Sequence, residues 1–594
     1  MPRLDNKIVR FLAKSRASYR TILRESRLLL IFAAGIAGFL GGSIASLMGA
    51  ITQYLHEILL GVEHNTRLSS ATELDIKRTF LVLILGGLLV GISTALWRWW
   101  RKTGDIVDPV EANALHGGRM SFRDSLFVMF QSIMSDGVGA SVGLEGGFSQ
   151  AGGALGSKIG IFLHRRRNDI RMLVGAGAAG AIAGAFDSTF AGAAYGFELI
   201  IGSYTVATLA PITTAAICGV FAASLLAGHG YRFPIESLPS IQSSNLFWII
   251  FLGVLSALLA VLLMRGVTRI ESFFRSSNFP IWSRPMLGGL VVATFALVSP
   301  NILASGHGGM EIILSTPPAL TIILAVLLLK IIACAVSIGA GFRGGLFSAS
   351  LFLGVLAGAA FTQIGTWAGV LSDADFGLYT LIGMASFAAA VVGAPMTMVA
   401  LAVGMSGQMS ALVPSMIGVI AAMLTVRRIF GYSFATWRFH LRGEAILGGQ
   451  DIGWLYKTSA QELMRRGPPV ARSDQTIAEF CEQFPLASAR YVIGIDQEQA
   501  FSGIIDVALA HARSREEGGA EQYVSDILTN ASAYIGAHES LSRVMPKFER
   551  LTTEILVVVD TEEHRRVLGI ISEEYALKMY QQQLEERQKE IFAG

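Results

Sequence analysis

Glu145 stands in the run Gly143-Leu144-Glu145-Gly146-Gly147, a single carboxylate among glycines and uncharged residues. A buried acid costs several kcal/mol unless it is neutralised, paired or compensated. The glycine pair directly after it lets backbone N–H groups approach a small anion or the carboxylate itself. An acid that competes with an anion for the same N–H groups is a gate: ionised it fills the anion's place, and protonated it swings away. A second glycine-rich turn, Gly341-Phe342-Arg343-Gly344-Gly345-Leu346-Phe347, lies about 200 residues later. The candidate anion donors are the backbone N–H groups of Leu144, Glu145, Gly146, Leu346 and Phe347. Helix N-termini carry partial positive charge and unpaired N–H groups. Several of them aimed at one point replace the hydration shell of a chloride-like anion without a buried full cation.

The elements that position these turns are membrane spans. The chain has 594 residues, 52% hydrophobic and only 15% charged, with mean hydropathy +0.53, whereas soluble domains carry about 25% charge. Leu28–Leu55, Thr79–Trp97, Leu199–Gly230, Gly344–Ser372 and Phe376–Val426 contain no Asp, Glu, Lys or Arg. A spanning helix needs about 20 apolar residues, so the last run holds two or more. The 65 glycines, with Pro211, Pro300, Pro395 and Pro414, predict close helix packing and spans broken at mid-membrane around a site. Matching glycine turns in two halves predict an inverted repeat.

Residues 1–27 carry Arg3, Lys7, Arg10, Lys14, Arg16, Arg20, Arg24 and Arg27. They read as a basic cytoplasmic helix preceding a membrane domain over 28–445. A linker over 446–455 leads to a charged, soluble-like segment, 456–594, made of two similar units of about 456–513 and 520–583. Each unit reads helix, strand, strand, helix: Ala460–Met464, Tyr491–Ile495 and Gly503–Ile505 in the first, Val524–Leu528, Ile555–Asp560 and Gly569–Ser572 in the second. Met579–Phe592 reads as a charged terminal helix. The compact loops favour a bacterial plasma membrane, with both termini cytoplasmic.

Two further motifs carry no chemistry. Gly175-Ala-Gly-Ala-Ala-Gly180 matches a dinucleotide fingerprint but lacks the soluble strand before it and the acid after it, and reads as helix packing. His56-Glu57 begins like a zinc-protease helix, yet Leu60 stands where the second histidine is required. Cys218, Cys334 and Cys481 form no metal or disulfide pattern.

The two glycine turns and the paired C-terminal units together resemble the CLC family of chloride channels and chloride/proton antiporters. The family pattern GxEGP reads here Gly143 to Gly147, with Gly147 for the proline. GxFxP reads Gly345-Leu346-Phe347-Ser348-Ala349, with Ala349 for the proline. Ser305-Gly306-His307-Gly308-Gly309 is similar to a further glycine-rich family segment. The family's GSGIP falls at Thr103–Pro109. Register on Pro109 puts Ile106 at the pore serine, and register on Gly104 puts Asp105 there; the proline register is preferred. The pore tyrosine falls at Ala435, with Tyr432 one turn away. Glu198, in Ala193-Ala-Tyr-Gly-Phe-Glu-Leu199, matches the acid beside the internal proton glutamate, whose own position is Leu199. Glu198 is either a proton-pathway residue or a structural acid paired with a base.

The resemblance implies an all-α polytopic membrane body with an inverted repeat of broken, tilted helices, followed by a cytoplasmic α/β pair of CBS domains. It implies a homodimer in the lipid bilayer, with one pore per subunit and Glu145 as outer gate. In CBS pairs that bind adenine nucleotide, an acid holds the ribose. Here Leu509 and Tyr575 stand at that position, so the pair reads as structural. Loss of the serine, tyrosine and proton glutamate leans the reading toward passive, voltage- or pH-gated chloride conduction; the alternative is proton-coupled chloride antiport. No nucleophile–base pair or metal cluster lies in the spans, so the reading is a transporter and not an enzyme, without cofactor or nucleic-acid partner.

Overall fold

The computed structural model describes residues 26–64, 66–71, 73–101, 106–228, 233, 238–239, 245–431, 433–434, 437, 459–516, 518–551, 553–561, 563–576 and 579. The expected basic helix over 1–27, the linker over 446–455 and the terminal helix Met579–Phe592 lie almost wholly outside these residues. The chain divides into two compact units, 1–451 and 452–594.

Among the described residues the first unit is helical. Its helices are α1 (Arg27–Leu55), α2 (Ile76–Arg101), α3 (Pro109–Leu115), α4 (Phe122–Gly137), α5 (Glu145–Phe162), α6 (Arg167–Phe186), α7 (Thr189–Tyr195) and α8 (Val206–Ala227). They continue with α9 (Asn245–Ser276), α10 (Arg284–Ala296), α11 (His307–Ser315), α12 (Leu320–Ala340), α13 (Phe347–Trp367), α14 (Phe376–Val392), α15 (Pro395–Ser406) and α16 (Leu412–Ile429). Nine helical segments of the described residues are long and apolar enough to cross a membrane, and this is a multi-pass membrane protein. The charge-free run Phe376–Val426 resolves into α14, α15 and most of α16, broken at Gly393 and Gly407, which both adopt left-handed backbone.

Each glycine turn is followed by the same order of elements, two long helices, a shorter one and a third long one. Gly143–Gly147 opens onto α5, α6, short α7 and α8; Gly341–Phe347 opens onto α13, α14, short α15 and α16. This is the inverted repeat of broken helices that the spacing predicts. Small residues bring the helices together. A Cβ on Gly38 would overlap the backbone of Ala215, one on Gly180 the backbone of Gly38, and one on Gly41 the backbone of Gly177. The Gly175–Gly180 run is therefore a packing seam between α1 and α6, at backbone distances that a larger residue would forbid.

The second unit is α/β. It contains α17 (Ala460–Leu463), β1 (Arg465–Arg466), β2 (Val470–Arg472), α18 (Ile477–Gln483), β3 (Tyr491–Ile495), β4 (Phe501–Asp506) and α19 (Val507–Ser514). It continues with β5 (Tyr534–Gly536), α20 (Leu541–Leu551), β6 (Ile555–Val559) and β7 (Val567–Ser572). One sheet has the order β2-β3-β4 and the other β1-β7-β6-β5. In each, a short parallel strand precedes an antiparallel hairpin. β1 crosses into the other half's sheet, pairing Arg465 with Ile570 and Arg466 with Gly569. Helix–strand–strand–helix is thus incomplete. β2, α18, β5 and α20 were not expected, since three-residue strands show no alternation to read, and Val524–Ile527 is a 3-10 turn rather than an α-helix. Leu509 and Tyr575 are exposed.

Candidate functional site

The two glycine turns meet. Gly143 N donates to Gly345 O and Gly345 N donates to Gly143 O, each at 2.9 Å, an isolated antiparallel bridge between segments about 200 residues apart. The bridge is crowded: a Cβ on Gly344 would stand 2.6 Å from Val142 Cβ, and one on Gly143 would overlap Glu145 Oε2. From this bridge two helices start. α5 begins at Glu145 after Leu144, and α13 begins at Phe347 after Leu346; neither start has a side-chain cap. Helix geometry leaves the first N–H groups of each without an intrahelical acceptor. The expected donors Leu144, Glu145, Gly146, Leu346 and Phe347 therefore come together from both halves.

The Glu145 side chain is 3% exposed and lies back across the bridge against Gly143. Its Oε1 accepts a hydrogen bond from Ser348 Oγ. Its Oε2 has no hydrogen-bond partner among the described residues. Ser348 Oγ is also 3.3 Å from His307 Nε2, and His307 Nδ1 is 2.8 Å from Ser305 Oγ. Phe186 packs 5.2 Å from the Phe347 ring and 5.8 Å from the His307 ring, centroid to centroid. The Tyr195 ring lies 6.1 Å from that of Phe347, with its hydroxyl 3.0 Å from Ser149 Oγ.

A lysine holds the loop that carries His307. Lys330, in the middle of α12 and fully buried, donates from Nζ to the carbonyls of Ile302, Leu303 and Ala304 at 3.0, 3.3 and 2.7 Å. Those carbonyls belong to the buried irregular segment before α11, where an unpaired carbonyl is costly. Ser69 Oγ accepts from Gly308 N and Gly309 N at the start of α11, a second tie on the segment that carries His307.

Ile106 is partly exposed and lines a cavity of about 460 Å³ with Gly344, Arg343, Arg98, Arg275 and Arg284. Arg343 Nε donates to Gln131 Oε1 at 3.1 Å, and Gln131 Nε2 in turn donates to Thr94 Oγ1 at 2.6 Å. Glu271, the acid on this wall, pairs with Arg275 at 2.9 Å. The cavity is thus positively lined and reaches the second glycine turn. The rival pore-serine candidate Asp105 and the tyrosine-position candidates Ala435 and Tyr432 lie outside the described residues.

Glu198 is elsewhere and otherwise engaged. It sits in a π-helical turn, Gly196–Ile201. Its carboxylate accepts from Met396 N at 2.8 Å and from Thr397 N and Oγ1 at 2.9 and 2.8 Å. The expected structural partner was a base; the observed one is the N-terminus of α15, whose orphan N–H groups and dipole favour a carboxylate.

Reading motifs alone missed Ser348 as a Glu145 ligand, His307 behind it, the Tyr195–Ser149 hydroxyl pair and Lys330. Lys330 could have been found as the lone charge in an otherwise apolar run from Leu320 to Ala340.

The model for voltage gated chloride channels matches residues 86–427, which include both glycine turns and Glu145. The chain belongs to the voltage gated chloride channel family. Within it, one relative is a putative chloride channel protein, ClcB-like, from Ralstonia nicotianae, 28% identical over 400 residues that make up 66% of this chain and 92% of the relative. The channel-family fold extends to solved structures. A slow cyanobacterial Cl−/H+ antiporter superposes with TM-score 0.61 at 19% identity, over 70% of this chain and 98% of its own. A eukaryotic CLC transporter superposes with TM-score 0.56 at 18% identity, over 92% of this chain and 98% of its own.

Proposed function

We propose that this chain carries chloride or a similar small anion across the membrane, with Glu145 as the gate. The observation that carries the proposal is the position of the Glu145 carboxylate, laid over the Gly143–Gly345 bridge where two helix N-termini from opposite halves converge. Ionised, the carboxylate occupies an anion position. Protonated, it gives up its claim on the backbone donors and vacates that position for an anion arriving from the arginine-lined cavity beside Ile106. The anion-binding set is Leu144, Glu145, Gly146, Leu346 and Phe347 through their N–H groups, with Ile106 and either Ala435 or Tyr432 toward the inside.

Passive, gated conduction is the preferred form. Leu199 stands at the family's internal proton-acid position, and neighbouring Glu198 spends both oxygens on α15, which leaves no free acid there to load protons from inside. Proton-coupled antiport is the second reading, favoured by the hydrogen-bonded side chains behind Glu145. The working form is a homodimer in a bacterial inner membrane, with cytoplasmic termini and a C-terminal pair of CBS-type units that stabilise it without nucleotide.

The deciding experiment is flux from liposomes containing the purified chain, with a chloride electrode and a pH electrode read together. Anion flux without stoichiometric proton movement is expected. A fixed proton-to-chloride ratio would replace the channel by the antiporter, and absence of any anion flux would remove the proposal.

A further inference from the structure

The gate carboxylate ends a chain of hydrogen bonds whose direction is determined by chemistry. An ionised carboxylate only accepts, so Ser348 spends its O–H on Glu145 Oε1. Ser348 Oγ then faces His307 Nε2 as an acceptor, 3.3 Å away, which requires the proton on Nε2. His307 Nδ1 is thereby left as the acceptor for the Ser305 O–H at 2.8 Å. All three bonds point the same way, from Ser305 to Glu145. Glu145 and Ser348 are buried, whereas His307 and Ser305 are partly exposed. The histidine loop is tied through Ser69 to the connection between α1 and α2, so it lies toward the membrane face opposite the start of α1.

We propose that Ser305, His307 and Ser348 form a proton relay that loads and unloads Glu145 from that face. The inference rests on Glu145 being the gate. A proton from water enters by way of Ser305 onto His307 Nδ1, the Nε2 proton passes to Ser348 Oγ, and the Ser348 proton passes to Glu145 Oε1. One proton enters and one reaches the carboxylate. The imidazole finishes as the other tautomer and is reset when Glu145 returns its proton along the same path. Several charged and titratable groups face the relay, and Asp136 comes closest, against the backbone N–H of Ser305. Arg67 and Lys330 act on His307 through space, and Asp136 faces both Lys330 and Glu145. Tyr195 faces Glu145 from α7. Lys330 is bound to three carbonyls, so its part is to hold the loop that presents His307.

The test is a rapid acid jump outside liposomes containing the full chain, with the onset of chloride flux followed by a halide-sensitive dye. His307→Gln keeps a hydrogen-bonding side chain but cannot exchange tautomers, and Ser305→Ala breaks the first link without touching Glu145. Each is expected to slow the acid-triggered onset by about a hundredfold, the scale of a positioned proton-transfer group, while the final flux at low pH is unchanged. In a Glu145→Ala background, His307→Gln should add nothing. If Glu145→Ala abolishes the pH response but His307→Gln and Ser305→Ala open as fast as the parent, the relay is wrong and the gate stands. If Glu145→Ala leaves the pH response intact, the gate itself is wrong. A variant whose final low-pH flux falls with its onset rate has lost structure rather than a relay, and that result in both variants would also overturn the proposal.

Discussion

Replacing Gly143 by alanine perturbs the gate without altering its carboxylate. The Gly143 backbone is outside the left-handed region, so alanine fits its torsions, and the reciprocal bonds to Gly345 use only main-chain atoms. The new methyl group, however, would overlap Glu145 Oε2, and the carboxylate must leave its seat. It then loses the Ser348 hydrogen bond, worth about 1.5–3 kcal/mol for a charged acceptor, which lowers the ratio of closed to open gates by about 10- to 150-fold. The neighbouring glycines supply a graded series. A Cβ on Gly345 stands 3.3 Å from the same oxygen, so Gly345→Ala has a smaller effect. A Cβ on Gly146 meets nothing nearer than 3.6 Å, so Gly146→Ala is close to silent. Chloride efflux from liposomes at neutral pH should rank Gly143→Ala above Gly345→Ala above Gly146→Ala, converging at low pH where the parent gate is already open. Gly143→Ala protein that elutes and melts as the parent does, yet shows the parent's flux and pH response, would refute the seat.

Three further outcomes are expected. Glu145→Ala should leave an anion leak that no longer rises as pH falls, measured as chloride efflux against external pH; an unchanged pH response would end its assignment as gate. Lys330→Met should strip three buried carbonyls of their donor at about 1–3 kcal/mol each, read as a lower melting temperature in detergent; a variant as stable as the parent would contradict the clamp. Glu198→Gln should weaken the start of α15 by about 1 kcal/mol and leave the ratio of proton to chloride flux unaltered, while a changed ratio would place Glu198 on a proton path.

Much of the membrane body was legible because lipid imposes one rule: spans must be apolar and internally hydrogen-bonded. Charge-free runs therefore marked α1, α2, α8, α13 and the α14–α16 group. The same rule hid α12, whose central Lys330 breaks the run. Glu145 was visible as an acid where none is tolerated, and the glycine pairs as places where backbone must come close. What could not be read was partnership. Ser348 touches a residue 203 positions away, and His307 approaches Ser348 across 41; both are common residue types with no periodicity to expose them. Glu198 showed the complementary limit: an acid in a suggestive place, whose partner was the end of a helix rather than a side chain. In the C-terminal unit, short β2 and β5 left no pattern, although the longer β3, β4, β6 and β7 did.

The Gly143–Gly345 bridge also bears on tempo. Rocking of one repeat against the other, which many transporters use to alternate access, would here break two reciprocal main-chain bonds at the centre of the site in every cycle. Such collective motions run over microseconds to milliseconds, whereas side-chain rotations take picoseconds to nanoseconds. With the two halves stitched together at this bridge, the proposed gate would leave a single carboxylate as the moving part. On the proposed gate, opening would then be limited by how often a proton reaches that carboxylate, not by how fast the scaffold can deform.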